Sequence, residues 1–162
     1  MSFKDIRLIK IENLEQLLKK NKFPTYRSKQ IQNWVRKINV QSFNQMSNLP
    51  SDLIHFLIEN FKLNKSKVKT SKKSSDGTIK FAIQLYDNLI VEAVLIPSNK
   101  RITACVSSQV GCSLDCNFCA TSKINKMRNL ESYEIFDQIM LLNKESINHF
   151  SSNITNIVFM GM

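Results

Sequence analysis

The sequence predicts an α/β protein: a small helical domain, then strands, then a single β–α–β crossover. Three observations predict it. Apolar residues recur at helical spacing through Phe61, and from Thr78 to Ser107 they alternate or run on continuously. A further helical stripe then separates two short apolar runs.

In the first stretch Ile11, Leu14, Leu17 and Leu18 share one helical face, and Pro24 ends the element. Ile31, Trp34, Val35 and Ile38 repeat the pattern on a second helix, ringed by Arg27, Lys29, Arg36 and Lys37. Trp34 reads as core rather than as a base-stacking platform. Leu53, Ile54, Leu57, Ile58 and Phe61 make a third stripe after Pro50, with Ser51 placed to cap it. Lys62 to Lys73 carries six lysines and no acid, a basic strand or linker suited to phosphate contact. Ser75-Asp76-Gly77 and Asp87-Asn88 are turns flanking the strand Thr78 to Leu85. Leu89 to Ile96 is a near-continuous apolar strand, broken at Pro97-Ser98-Asn99, and Ile102 to Ser107 is another. Ser132 is placed to cap a helix over residues 133–146, and Ile154 to Met160 is the next buried strand. Strand, helix and strand in that order imply parallel pairing. The expected domains are a helical one over 1–61, a basic linker and β-hairpin segment over 62–100, and a β/α segment over 101–162.

Hydrophobic residues make up 43% of the 162, enough for a buried core. Lys and Arg outnumber Asp and Glu by 23 to 13, a net +10 that favours a polyanionic partner, nucleic acid above all. Met1-Ser2-Phe3-Lys4-Asp5 opens no apolar signal region, and no stretch is apolar for the roughly 18 residues a membrane span requires. A cytoplasmic protein off the membrane is expected, with its cysteines kept as thiolates rather than disulfides.

Chemistry concentrates in Cys112-Ser-Leu-Asp-Cys116-Asn-Phe-Cys119. One short loop can aim three thiolates at one centre. A structural zinc site closes its tetrahedron with four ligands, whereas a cubane held by three cysteines keeps one iron open for a substrate or cofactor. The open iron–sulfur cluster leads. Three readings stand beside it: a zinc site with Cys105 as fourth ligand, a Cys116/Cys119 redox pair, and reduced structural thiols.

The flanking residues carry a resemblance. Cys105-Val-Ser-Ser-Gln-Val-Gly-Cys112, continuing through Cys119-Ala-Thr, resembles the cluster segment of the RlmN/Cfr family of radical S-adenosylmethionine (SAM) RNA methyltransferases. Ser74 to Lys80, Val91 to Pro97, Arg128-Asn-Leu130 and Ile154 to Met162 resemble the same family in the same order. The resemblance implies a helical accessory RNA-binding domain followed by the first part of a radical SAM partial (β/α) barrel. It implies that Cys112, Cys116 and Cys119 ligate a [4Fe–4S] cluster whose open iron binds SAM, and that Phe118 lies against the SAM adenine. Cys105 matches a catalytic thiol that helps resolve an enzyme–RNA adduct; its plain reading is a small buried residue on a strand. Glu92 matches the family's proton acceptor. It shares a strand face with Ile90, Val94 and Ile96, where burial would suit that role, although an edge-strand gatekeeper charge is the plainer reading.

The resemblance further implies methylation at C2 of an adenine in 23S rRNA and in certain tRNAs, through a methyl-cysteine beyond this chain. An electron donor for the cluster and a monomeric state come with it, and so does a disulfide bond. A Cfr-like enzyme acting at C8 and a zinc-stapled basic RNA-binding module are the alternatives. The family's Gly-Glu-Pro segment and methyl-carrying cysteine do not occur here, so these 162 residues are expected to be an inactive N-terminal portion.

Overall fold

The computed structural model describes residues 4–99, 101–112 and 126–160. The chain divides into two compact units, residues 1–64 and 65–162.

The first unit is helical: α1 (Ile11–Lys20), α2 (Arg27–Asn33) and α3 (Ser51–Asn60). Leu14, Leu18, Ile31, Val35, Leu53 and Leu57 are buried at its centre, as the apolar stripes require. Trp34 packs against this core and donates its indole N–H to Asn48 Oδ1 at 2.6 Å. Ile38, expected on the same stripe, is 49% exposed. The chain widens into a π-turn over Trp34–Ile38, and that turn rotates Ile38 off the face before Asn39 ends it at φ 55°. At α3 the capping residue is Pro50, extended at ψ 150°, so Ser51 is already the first helical residue. The unit closes on a pair absent from the sequence reading. Asp5, fully buried, accepts from Arg7 Nε and Nη2 at 3.0 Å and from the Asn64 N–H at 2.8 Å.

The second unit is built on a five-stranded sheet. Its strands are β1 (Lys67–Lys73), β2 (Ile79–Gln84), β3 (Ile90–Ser98), β4 (Arg101–Ser107) and, after a small pin and a helix, β7 (Asn156–Met160). The order is β1-β2-β3-β4-β7, antiparallel as far as β4 and parallel from β4 to β7. Thus the basic stretch after residue 62 supplies a sheet strand, and β1–β3 are continuous with β4 rather than set apart from it. Pro97 does not break β3, because it sits in register opposite Ile102 before the chain turns. The pin is β5 (Gln109–Val110) against β6 (Arg128–Asn129). Helix α4 (Ser132–Phe150) starts one residue after its capping residue, Glu131, so Ser132 does not cap it.

Period-two alternation gives the sheet two unlike faces. Ile79, Phe81, Ile83, Val91, Ala93, Leu95, Ala104 and Val106 point to one face and are buried, with Leu142 of α4 in the same cluster. The opposite face is open, and Lys80, Glu92, Val94 and Cys105 stand on it. At the Asp-Gly turn Ser74 N donates to Thr78 O at 2.8 Å, with Gly77 at φ +87°. Both Thr78 donors reach the Asp76 carboxylate at 3.0 Å, which lowers the Asp76 pKa.

Candidate metal centre and active site

Strand β4 carries Cys105 to the open face and then delivers the chain to the cysteine loop. Its end is held from the helix side. The buried Gln138 of α4 accepts from the Ser107 N–H at 2.9 Å and donates to the Ser107 carbonyl at 3.1 Å. Ser107 Oγ in turn donates to the Glu92 carbonyl at 2.6 Å, tying β4 to β3 beside the candidate base. Half-buried Cys112 follows Gly111, whose φ of 73° turns the backbone out of the strand.

The two ends of the cysteine loop are pinned together. Met127 N donates to Val110 O, and Leu130 N to Ser108 O, both at 2.9 Å. Arg128 fastens the returning strand. Its Nε and Nη2 donate to Asp87 Oδ2 at 2.9 and 2.7 Å, its Nη1 to Glu134 Oε2 at 2.7 Å and its Nη2 to Glu134 Oε1 at 2.8 Å. Glu134, with a side chain 1% exposed, also accepts from the Glu131 N–H at 2.8 Å. The β2–β3 turn, the loop's return strand and the start of α4 are thus joined through one guanidinium. Its hydrogen bonds to Glu134 raise the Arg128 pKa further above its usual range.

Cys116, Phe118 and Cys119 lie outside the described residues, so the structure places only Cys112 of the expected cluster ligands. Among the described residues no group of three or more His, Cys, Asp or Glu could hold a metal. Three soft thiolates within eight residues of sequence, between the paired strands β5 and β6, fit an iron–sulfur cluster. Among the described residues Cys105 is in no disulfide, so the disulfide carried over with the family finds no support. Burial pushes the Cys105 thiol pKa up.

Glu92 is where the sequence reading needs correction. Its apolar neighbours Ile90 and Ile96 are themselves exposed, because this face of β3 is open and the buried face is that of Val91, Ala93 and Leu95. The Glu92 side chain is 36% exposed and paired to Lys80 Nζ of β2 at 2.5 Å. It stands on the same face as Cys105, two residues along β3 from Cys105's partner Val94. Lys80, Gln138 and the Arg128–Glu134–Asp87 cluster were not picked out from sequence. Lys80 and Arg128 fall inside quoted motifs, yet a motif does not show which side chain meets which. Among the described residues no helix is long and apolar enough to cross a membrane.

Known proteins resemble this chain closely. A probable dual-specificity RNA methyltransferase RlmN of Flavobacterium psychrophilum is 49% identical over 159 residues, covering 98% of this chain and 46% of that protein. The dual-specificity RNA methyltransferase RlmN of Campylobacter concisus is 39% identical over 172 aligned residues, covering 98% of this chain and 44% of that protein. Among solved structures, a radical SAM methyltransferase from Sphaerobacter thermophilus superposes with a TM-score of 0.78 at 31% identity, covering 98% of this chain and 47% of that one. The chain therefore spans just under half the length of the relatives it matches. No family model matches it.

Proposed function

The chain belongs to the RlmN family of dual-specificity RNA methyltransferases, and on that premise we propose that its protein methylates C2 of an adenine in 23S rRNA and in certain tRNAs. One observation carries the reading furthest. The cysteine loop leaves the C-terminal end of β4, is pinned by β5 and β6, and precedes a helix and a parallel strand. That is the end of the strands at which β/α-barrel enzymes place their chemistry.

In this reading Cys112, Cys116 and Cys119 hold the [4Fe–4S] cluster and leave one iron for SAM. Cluster and SAM together supply the one-electron chemistry that an electron-poor ring C–H needs and ordinary nucleophilic transfer cannot provide. The chain's own residues bind and position. Phe118 supports the SAM adenine. Glu92, held by Lys80 on the open sheet face, accepts the proton leaving the base. Cys105, whose thiol pKa burial pushes up, helps release the enzyme from its RNA adduct. The methyl-carrying cysteine lies in sequence outside these 162 residues. The helical unit serves as the accessory RNA-binding domain, and the protein works as a cytoplasmic monomer supplied by an electron donor.

The experiment is anaerobic reconstitution of the full-length protein followed by methylation of 23S rRNA and tRNA. The expected products carry 2-methyladenine by mass spectrometry, and Cys112→Ser abolishes them together with the iron. Methylation at C8 would replace this reading by the Cfr-like one. Stoichiometric zinc without acid-labile sulfide would replace it by the RNA-binding module.

A further inference from the structure

The sheet register draws a line of residues toward Cys105. Lys72 of β1 pairs with Lys80 of β2, Lys80 with Val94 of β3, and Val94 with Cys105 of β4. All four stand in one cross-strand row on the open face, the two lysines exposed. At about 4.8 Å per strand, Lys80 and Lys72 originate roughly 10 and 14 Å from Cys105. Lys67 shares the face one end further along, opposite Gln84. An irregularity between Val68 and Thr70 takes up Lys69 as an extra residue and resets the alternation of β1. Without it, Lys72 would fall on the other face.

A row of exposed lysines on a sheet is by itself an ordinary solvated surface. Here it is continuous with the thiol and carboxylate of the proposed active site, and Glu92, the acid on this face of β3, is already paired to Lys80. An RNA methyltransferase must hold the strand by its phosphates while one base leaves the stack to reach the thiol. Resting on the function proposed above, we infer that Lys67, Lys72 and Lys80 form a phosphate track on the open face. The track grips the RNA strand beside the target nucleotide and leads it to Cys105. Lys80 serves twice, touching the backbone on one side and holding Glu92 on the other. Lysine suits this task because a mobile point charge follows a backbone without reading sequence.

The test is fluorescence-anisotropy titration of the full chain with a labelled single-stranded RNA across a range of salt. Lys72→Gln/Lys80→Gln should lower the slope of log affinity against log salt by about 1.4, roughly 0.7 per lost phosphate contact. Lys72→Arg/Lys80→Arg should keep the wild-type slope. The control Lys73→Gln/Lys144→Gln removes the same charge from off this face and should change the slope by less than half as much. Equal slopes for the two glutamine variants would overturn the track, and so would equal losses from glutamine and arginine. Either result leaves the methyltransferase reading standing if the iron content is intact. Wild-type chain without affinity for RNA, or binding anionic vesicles in its place, would sink the track and that reading together.

Discussion

Replacing Arg128 by methionine should destabilise the second unit by about 3–4 kcal/mol, and the structure shows where that figure originates. The guanidinium donates two bonds to Asp87 and two to Glu134, plus one to the Asn129 carbonyl at 3.2 Å. Arg128 and Asp87 side chains are each 26% exposed, so Asp87 rehydrates when its partner goes, at a cost under about 1 kcal/mol. Glu134 cannot. At 1% exposure its carboxylate is left with the Glu131 N–H and no counter-charge, a situation costing about 3–5 kcal/mol. Arg128→Lys keeps the charge but loses the fork and should fall between, at about 1–2 kcal/mol. The double variant Arg128→Met/Glu134→Met removes both charges. It should be more stable than Arg128→Met alone, with a coupling of about 2–3 kcal/mol. Urea unfolding by far-UV circular dichroism gives the energies. Hydrogen exchange gives the location: exchange should rise around the β2–β3 turn and the start of α4, and not in α1 or α3. A cost below about 1 kcal/mol, or additive single effects, would refute the claim that one guanidinium ties these elements together.

Gly77→Ala forces a Cβ onto a φ of +87° and to within 3.2 Å of Pro97 Cγ; it should cost about 1–2 kcal/mol in a thermal melt, and an unchanged melting temperature counts against the turn geometry. Gln138→Met removes both bonds to the buried Ser107 backbone, so about 1–3 kcal/mol should be lost and the Ser107 amide should exchange faster. In a Cys112→Ser/Cys116→Ser/Cys119→Ser background, alkylation of Cys105 by iodoacetamide should inflect above the 9.0 of an ordinary thiol. Because the folded chain then holds that proton longer than the unfolded one, stability should decline as pH rises past 9.0; an inflection at or below that value removes the argument from burial.

Much of the architecture was legible because periodicity reports burial. The stripes at Leu14/Leu18 and Leu53/Leu57 and the alternation in Ile79–Ile83 follow from which residues must leave water, whereas β7, expected buried, pairs with β4 as a parallel edge strand with Ile157, Val158 and Phe159 exposed. Features set by a single backbone torsion were not legible. Ser51 and Ser132 have the chemistry of caps, yet Pro50 and Glu131, one position earlier, adopt the extended capping conformation. The π-turn at Trp34–Ile38 and the irregularity in β1 each shift a face by one residue, which no hydrophobic pattern announces. At the site, local spacing made the cysteines conspicuous. The partners of Glu92, Ser107 and Glu134 come from distant strands and helices, so Lys80, Gln138 and Arg128 emerge only when the sheet register is known. The sequence suggests burial for Glu92 because Ile90, Val94 and Ile96 share its strand face, but Ile90 and Ile96 face solvent too.

The most direct measurement is iron and acid-labile sulfide per chain after anaerobic reconstitution, read with the electron paramagnetic resonance of the reduced protein with and without SAM. About four irons and four sulfides per chain are expected, with a spectrum that changes when SAM is added and a cluster lost from Cys116→Ser. A protein that takes up one zinc and no sulfide, or whose reduced spectrum ignores SAM, contradicts the account at its centre.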